Sequence, residues 1–270
     1  MSLVSTEWLE SNLNKVRIID ASWHMPNSQR DAYAEYLKAH IENAVFFDLD
    51  KSSNEKSPFP HMLPNEEEWG KIVSDLGIKN SDHIVIYDNS DIISSCRCWY
   101  SFIYFGHNID KVSVLDGGLT KWINEKKSTT NKIKKFNKTE YAVTENKSLV
   151  KNKEQIKKNI IYKQFELVDA RSEQRFKGLV PEPRKGLKNG HIKNSKNIPF
   201  NECLNKNDRT FKNKEELIKI FKKQNINNKK NAVFTCGSGV TACVLGLANS
   251  IISGKTPIIY DGSWSEWGKE

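Results

Sequence analysis

Short apolar runs alternate with amphipathic stretches along the chain. "IVIYD" (84–88), "SVLDG" (113–117), "AVFTC" (232–236) and "PIIYDG" (257–262) are near-continuous apolar runs that stop at a polar or glycine position. Runs of this kind read as strands of a parallel sheet, buried on both faces. Between them, "EEEWGKIVSDLG" (66–77) and "KEELIKIFKKQ" (214–224) put apolar residues at helical spacing and predict helices, with Gly77 suited to the end of the first. Strand–helix alternation of this sort argues an α/β fold.

The pattern occurs twice. "VRIIDAS" (16–22) pairs with "FELVDAR" (165–171), and "AHIENAVFF" (39–47) with "GHIKNSKNIPF" (190–200). "HIVIYDNS" (83–90) pairs with "NAVFTCGS" (231–238), and "VSVLDGGLTKW" (112–122) with "PIIYDGSWSEW" (257–267). Four elements recur in order at a nearly constant offset, which is a duplication rather than a solenoid of short repeats. The expected architecture is two tandem α/β domains, each a parallel β-sheet flanked by helices: residues 1–125, a lysine-rich linker over 126–160, and residues 161–270.

Composition modifies this picture in two places. The net charge of +9 suggests nucleic acid, but residues 121–163 hold thirteen lysines against four acidic residues. That segment accounts for the whole excess, so it reads as a solvated connector and no nucleic-acid partner is expected. No apolar run approaches the length of a membrane helix, and no signal pattern opens the sequence. The expectation is a soluble cytoplasmic protein with no membrane partner. Five cysteines (96, 98, 203, 236, 243) form no C-x-x-C pair, which argues against a disulfide framework and against a zinc site. No metal and no cofactor are expected. Cys243, in an apolar helical run, reads as a small buried hydrophobe.

The remaining cysteine stands in "TCGSGVTACVLG" (235–246), at the end of an expected strand and before an expected helix. Ligands of open parallel sheets bind beyond the carboxyl ends of strands. Gly237 and Gly239 allow successive backbone amides to curl around a negative sulfur, an environment that favours the nucleophilic thiolate. The duplication supplies an internal control, because Asp88 occupies the position of Cys236 in the first half. Only the second half is expected to be catalytic.

"CGSGVTA", with the "DAR…GHI…DG" framework in a duplicated chain, resembles the two-domain rhodanese family over nearly the whole sequence. Within it, the chain is most similar to members that take sulfur from 3-mercaptopyruvate. The resemblance implies two rhodanese-like domains, the first non-catalytic, and a sulfurtransferase working through a Cys236 persulfide. It implies a small-molecule sulfur donor, with pyruvate released. The acceptor would be a thiol, on a thioredoxin-like protein or of low molecular weight, or cyanide. Members that use thiosulfate carry basic residues in the cysteine loop to hold a dianion; Gly-Ser-Gly here favours a donor whose carboxylate is held elsewhere. In "DARSEQRFKGLVPEPRKGL" (169–187), Arg175 and Arg184 match the arginines that bind that carboxylate and keto oxygen, and guanidinium forks suit the task. Gly237, Gly239, Val240 and Thr241 match the substrate-binding loop. Asp50 and His61, in "DLDKSSNEKSPFPHMLP" (48–64), match residues that form a proton relay with Ser238, and a departing enolate has to be protonated. Arg171 reads as loop support, and His191 and His40 as structural histidines. The family's Pro-Gly after "HI" is replaced by Glu42-Asn43 and Lys193-Asn194, where asparagine tolerates a left-handed backbone.

Three rivals stand beside this reading. Thiosulfate sulfurtransferase shares the fold. A cysteine phosphatase needs C-x5-R, and the sixth residue after Cys236 is Ala242. An idle interaction module would have no use for the cysteine loop.

Overall fold

The computed structural model describes residues 2–226 and 231–269; positions 1 and 270, the outer ends of the two expected halves, and 227–230 lie outside the described residues. Two compact units are present. The first comprises Met1–Glu55, Leu63–Asn146 and Lys206–Thr210, and the second Lys56–Met62, Lys147–Asn205 and Phe211–Glu270.

The first unit contains β1 (Leu3–Val4), α1 (Thr6–Glu10), β2 (Arg17–Asp20), α2 (Ala32–Lys38), β3 (Ala44–Phe46), α3 (Glu66–Asp75), β4 (Ile84–Tyr87), α4 (Ser95–Tyr104), β5 (Val112–Leu115) and α5 (Gly118–Asn124). The second contains β6 (Val150–Lys151), α6 (Lys153–Tyr162), β7 (Glu166–Asp169), α7 (Glu173–Phe176), β8 (Lys196–Asn197), α8 (Lys214–Lys223), β9 (Ala232–Thr235), α9 (Ala242–Ser253), β10 (Ile258–Tyr260) and α10 (Ser263–Trp267). Their sheets have strand orders β1-β5-β4-β2-β3 and β6-β10-β9-β7-β8. All pairings within these sheets are parallel. The duplication read from the sequence is therefore a duplication of topology, element for element. The chain runs from β7 outward to β8, returns to β9 on the other side of β7, and continues to β10. The reversal puts the carboxyl ends of β7 and β9 at the switch point where open α/β sheets bind ligands.

Local chemistry accounts for the elements. The four apolar runs become β4, β5, β9 and β10, and β4 and β5 are buried at every position. The helical spacing in 66–77 and 214–224 becomes α3 and α8, which bury Trp69 and Val73, and Leu217 and Phe221. Each opens on a capping box, Asn65 with Glu68 and Asn213 with Glu216, which satisfies amides that the first turn leaves without partners. Asn43 and Asn194 take φ of 65° and 66°, the left-handed conformation expected of them. His40 and His191 are structural, as expected: their Nδ1 atoms bond the carbonyls of Tyr36 (2.7 Å) and Phe176 (2.9 Å), and each ring stacks on that same residue.

The expected linker, 126–160, is divided. Residues through Asn146 belong to the first unit and Lys147 onward to the second, so β6 and most of α6 open the second unit. Nor is the first part simply a solvated connector. Its backbone bonds to the first unit at Thr130–His40, Thr139–Ser74, Thr144–Phe105 and Asn146–Tyr104, and Tyr141 is buried. Most of its lysines are exposed while the main chain is docked, a division that composition does not reveal. No helix among the described residues is long and apolar enough to cross a membrane.

Candidate active site

Cys236 follows β9 at the switch point, and α9 begins at Ala242. The thiol residue is 2% exposed. Gly239 turns the loop with φ of 79°. Cys243 anchors that turn from α9, its Sγ lying 3.2 Å from the Gly239 carbonyl oxygen, so its role exceeds that of a small hydrophobe. Val240 is buried, and Thr241 is the N-cap of α9.

The loop backbone is held by α10. Trp264 N donates to the Cys236 carbonyl (2.9 Å), and the Ser265 amide (2.8 Å) and hydroxyl (2.6 Å) both donate to the Gly237 carbonyl. A trans peptide is planar with its C=O and N–H antiparallel. Carbonyls turned to α10 therefore direct the amides of Gly237 and Ser238 the opposite way.

Ser238, also buried, shares a 3.0 Å hydrogen bond with Nδ1 of His61. His61 lies 177 positions earlier in the chain, but its segment, Lys56–Met62, belongs to the second unit. Lys269 helps hold that segment, with Nζ 3.4 Å from the Pro58 carbonyl and 5.0 Å from the Phe59 ring centroid. His61 is 4% exposed and takes φ of 60°, a conformation that costs a non-glycine residue about 1–3 kcal/mol. Asp50 belongs to the first unit, where its carboxylate accepts from Trp23 Nε1 at 2.9 Å.

Arg175 lies on α7, directly beside the loop. A Cβ on Gly237 would stand 3.0 Å from Arg175 Nη2, so a side chain there would press the guanidinium back by a few tenths of an ångström. Arg175 is fixed by Glu182, with Nη2 at 2.6 Å and Nε at 3.2 Å from its two oxygens. Glu182 also accepts from Arg171 Nη1 at 2.9 Å, and its side chain is 2% exposed. Arg171, fully buried, donates twice or more to Asp169 and lies 4.2 Å over the Trp264 ring. The loop support expected of Arg171 is thus a network of two arginines and two carboxylates, of which only Arg175 is partly exposed. Arg184 is half-buried in the same connection between α7 and β8.

Sequence reasoning does not single out Glu182. Its one signal is a carboxylate set between two prolines in "PEPR", in the stretch between Arg175 and Arg184. It belongs to an insertion specific to the second half: His40 follows Tyr36 by four positions, whereas His191 follows Phe176 by fifteen.

At the matching place in the first unit, Asp88 is buried and accepts from Ser94 and Ser95, and burial raises its pKa. Among the other thiols, burial pushes Cys203 up to about 12 and Cys98 well above the ordinary range. Both are buried in the packing of their units.

Two copies of a parallel α/β unit, one with a thiol at the switch point and one with a buried carboxyl there, define a duplicated domain. The Rhodanese-like domain model matches residues 5–125 and 152–270. The chain belongs to that family. It is 40% identical to 3-mercaptopyruvate sulfurtransferase of Mus musculus, over 98% of this chain and 91% of that protein. It is 39% identical to thiosulfate sulfurtransferase of Rattus norvegicus, over 98% and 91% of the two chains. The crystal structure of SseA from Escherichia coli, described with the rhodanese fold of 3-mercaptopyruvate sulfotransferases, superposes with a TM-score of 0.88 at 31% identity, covering 98% of this chain and all of that one.

Proposed function

We propose that this protein is a sulfurtransferase that takes sulfur from 3-mercaptopyruvate and passes it to a thiol or to cyanide. The observation that carries the reading is the guanidinium of Arg175 pinned by Glu182 against Gly237, one residue from the Cys236 thiol. It supplies a fixed cation for a carboxylate next to a nucleophile, while the loop itself has no cation to hold a dianion.

The Cys236 thiolate attacks the donor sulfur. The carbon–sulfur bond breaks, its electron pair stays with the organic fragment, and the enolate of pyruvate departs. The amides of Gly237 and Ser238 steady the negative sulfur. Ser238, hydrogen-bonded to His61, delivers the proton that converts enolate to pyruvate. The part expected of Asp50 in that relay rests on the family resemblance. An acceptor thiol then attacks the outer sulfur of the Cys236 persulfide and restores the thiolate. The second unit carries this chemistry, with His61 as the contribution of the first half of the sequence. Arg184 binds the donor carboxylate or keto oxygen, and Val240 and Thr241 shape the loop around it. The cycle needs a reduced thiol, which suits the cytosol.

The deciding assay measures pyruvate from 3-mercaptopyruvate with a thiol acceptor, and thiocyanate from thiosulfate and cyanide. The expected result is a higher kcat/KM for 3-mercaptopyruvate, abolished in Cys236→Ser, with a mass increase of about 32 Da on Cys236 of the donor-treated protein, one sulfur atom. Substantial turnover by Cys236→Ser, or a preference for thiosulfate, would overturn the assignment.

A further inference from the structure

The first residue of α10 is Ser263, with φ of 49° and no exposed surface. Its counterpart in the first half is Gly118, with φ of 57°. Both open the helix that receives the switch-point residue: Leu119 N donates to the Asp88 carbonyl at 3.0 Å, and Trp264 N to the Cys236 carbonyl at 2.9 Å. Glycine adopts this left-handed backbone without penalty, whereas serine does not. The half with the nucleophile therefore carries a side chain where the fold itself is satisfied by glycine.

The hydroxyl explains the difference. Ser263 Oγ accepts from the Cys236 amide at 3.1 Å and from Thr235 Oγ1 at 3.2 Å, and it donates to the Tyr260 carbonyl at 2.8 Å. One donor and two acceptor sites are the full capacity of a hydroxyl. It thus ties the last residue of β9, the cysteine itself and the end of β10 together at one buried point. The Cys236 amide is buried, so without the hydroxyl the peptide between Thr235 and Cys236 is left to rotate in search of a partner. Rotation of that peptide would move the thiol relative to the amides of Gly237 and Ser238.

We propose that Ser263 is a positioning residue for the nucleophile, holding the Cys236 amide so that the thiol meets the loop amides and the donor sulfur. The inference rests on the sulfurtransferase reading above. Two variants separate positioning from folding. Ser263→Ala removes the hydroxyl and keeps the backbone strain; Ser263→Gly removes both. The readouts are melting temperature, steady-state pyruvate release from 3-mercaptopyruvate, and the rate of Cys236 alkylation by iodoacetamide, followed by mass spectrometry of the full chain. Both variants are expected to lose about 10-fold in kcat, the equivalent of one hydrogen bond held better in the transition state, with KM within about twofold of the parent. Alkylation is expected to slow by about 3- to 10-fold, and Ser263→Gly to melt at or above Ser263→Ala. Parental kcat and alkylation in a folded Ser263→Gly would show that the position needs only a left-handed backbone, and would overturn the proposal. If the parent protein releases no pyruvate, the sulfurtransferase reading fails on its own; slowed alkylation in Ser263→Gly would still uphold the positioning role, and unchanged alkylation would refute it.

Discussion

Replacing Glu182 by glutamine tests the site at the point where its electrostatics are concentrated. One carboxylate oxygen accepts from Arg171 Nη1 and Arg175 Nε, and the other accepts from Arg175 Nη2 at 2.6 Å. A glutamine keeps the shape but has one acceptor oxygen. If that oxygen keeps the two-bond position, the amide NH2 faces Arg175 Nη2, donor against donor. At least one charge-assisted bond is lost, worth about 1.5–3 kcal/mol. Removing one member of a buried ion pair outright costs about 3–5 kcal/mol. Arg175 is 23% exposed and can turn to water, whereas Arg171 is fully buried and retains Asp169. The expected destabilisation is therefore near the lower figure, about 2 kcal/mol. Functionally, an Arg175 that turns to water leaves Gly237, and KM for 3-mercaptopyruvate rises about 10-fold, equivalent to about 1.4 kcal/mol of lost binding. Urea denaturation and steady-state kinetics on the full chain measure the two quantities. A Glu182→Gln protein within about 0.5 kcal/mol of the parent and with unchanged KM would refute the reasoning, because it would show that Arg175 needs no anchor.

Three further outcomes follow from the geometry. His61→Ala should lower kcat by about 100-fold with a smaller change in KM, since the relay acts in the transition state; parental kinetics would remove His61 from the mechanism. Arg184→Ala should raise KM for 3-mercaptopyruvate by about 10-fold or more and change thiosulfate turnover less; equal losses for both donors would make this arginine a support of the fold. The third concerns Asp20, buried in β2 and raised to about 6 by desolvation. Its folded pKa lies above the unfolded value, so the native state holds the proton more tightly. Stability from this group is present below the unfolded pKa and is lost as pH rises through about 6. Asp20→Asn should therefore gain on the parent as pH rises from about 4 to about 6, by up to about 3 kcal/mol over that interval. A constant difference across that range in urea titrations would contradict the assignment.

Much of this protein is legible along the chain, because the information is local. A strand buried on both faces must be apolar throughout, so β4, β5, β9 and β10 announce themselves. Amphipathic spacing announces α3 and α8, and a repeat needs only comparison of the chain with itself. The same comparison sets Asp88 against Cys236. Asn43 and Asn194 are readable because few residues tolerate a left-handed backbone. Tertiary structure decided what depends on partners distant in sequence. Nothing local marks Glu182 as the anchor of Arg175, since any carboxylate on a surface loop has the same appearance until two guanidinium groups close on it. Ser263 reads as part of a helix start, and its hold on the Cys236 amide exists only once β9 and β10 lie side by side. The lysine-rich run shows its charge but not its docking, because the bonds that seat residues 130–146 come from the backbone, which every sequence shares. His61 reaches Ser238 because a few residues of the first half fold with the second unit, a choice made by packing, on which the hydrophobic pattern is silent.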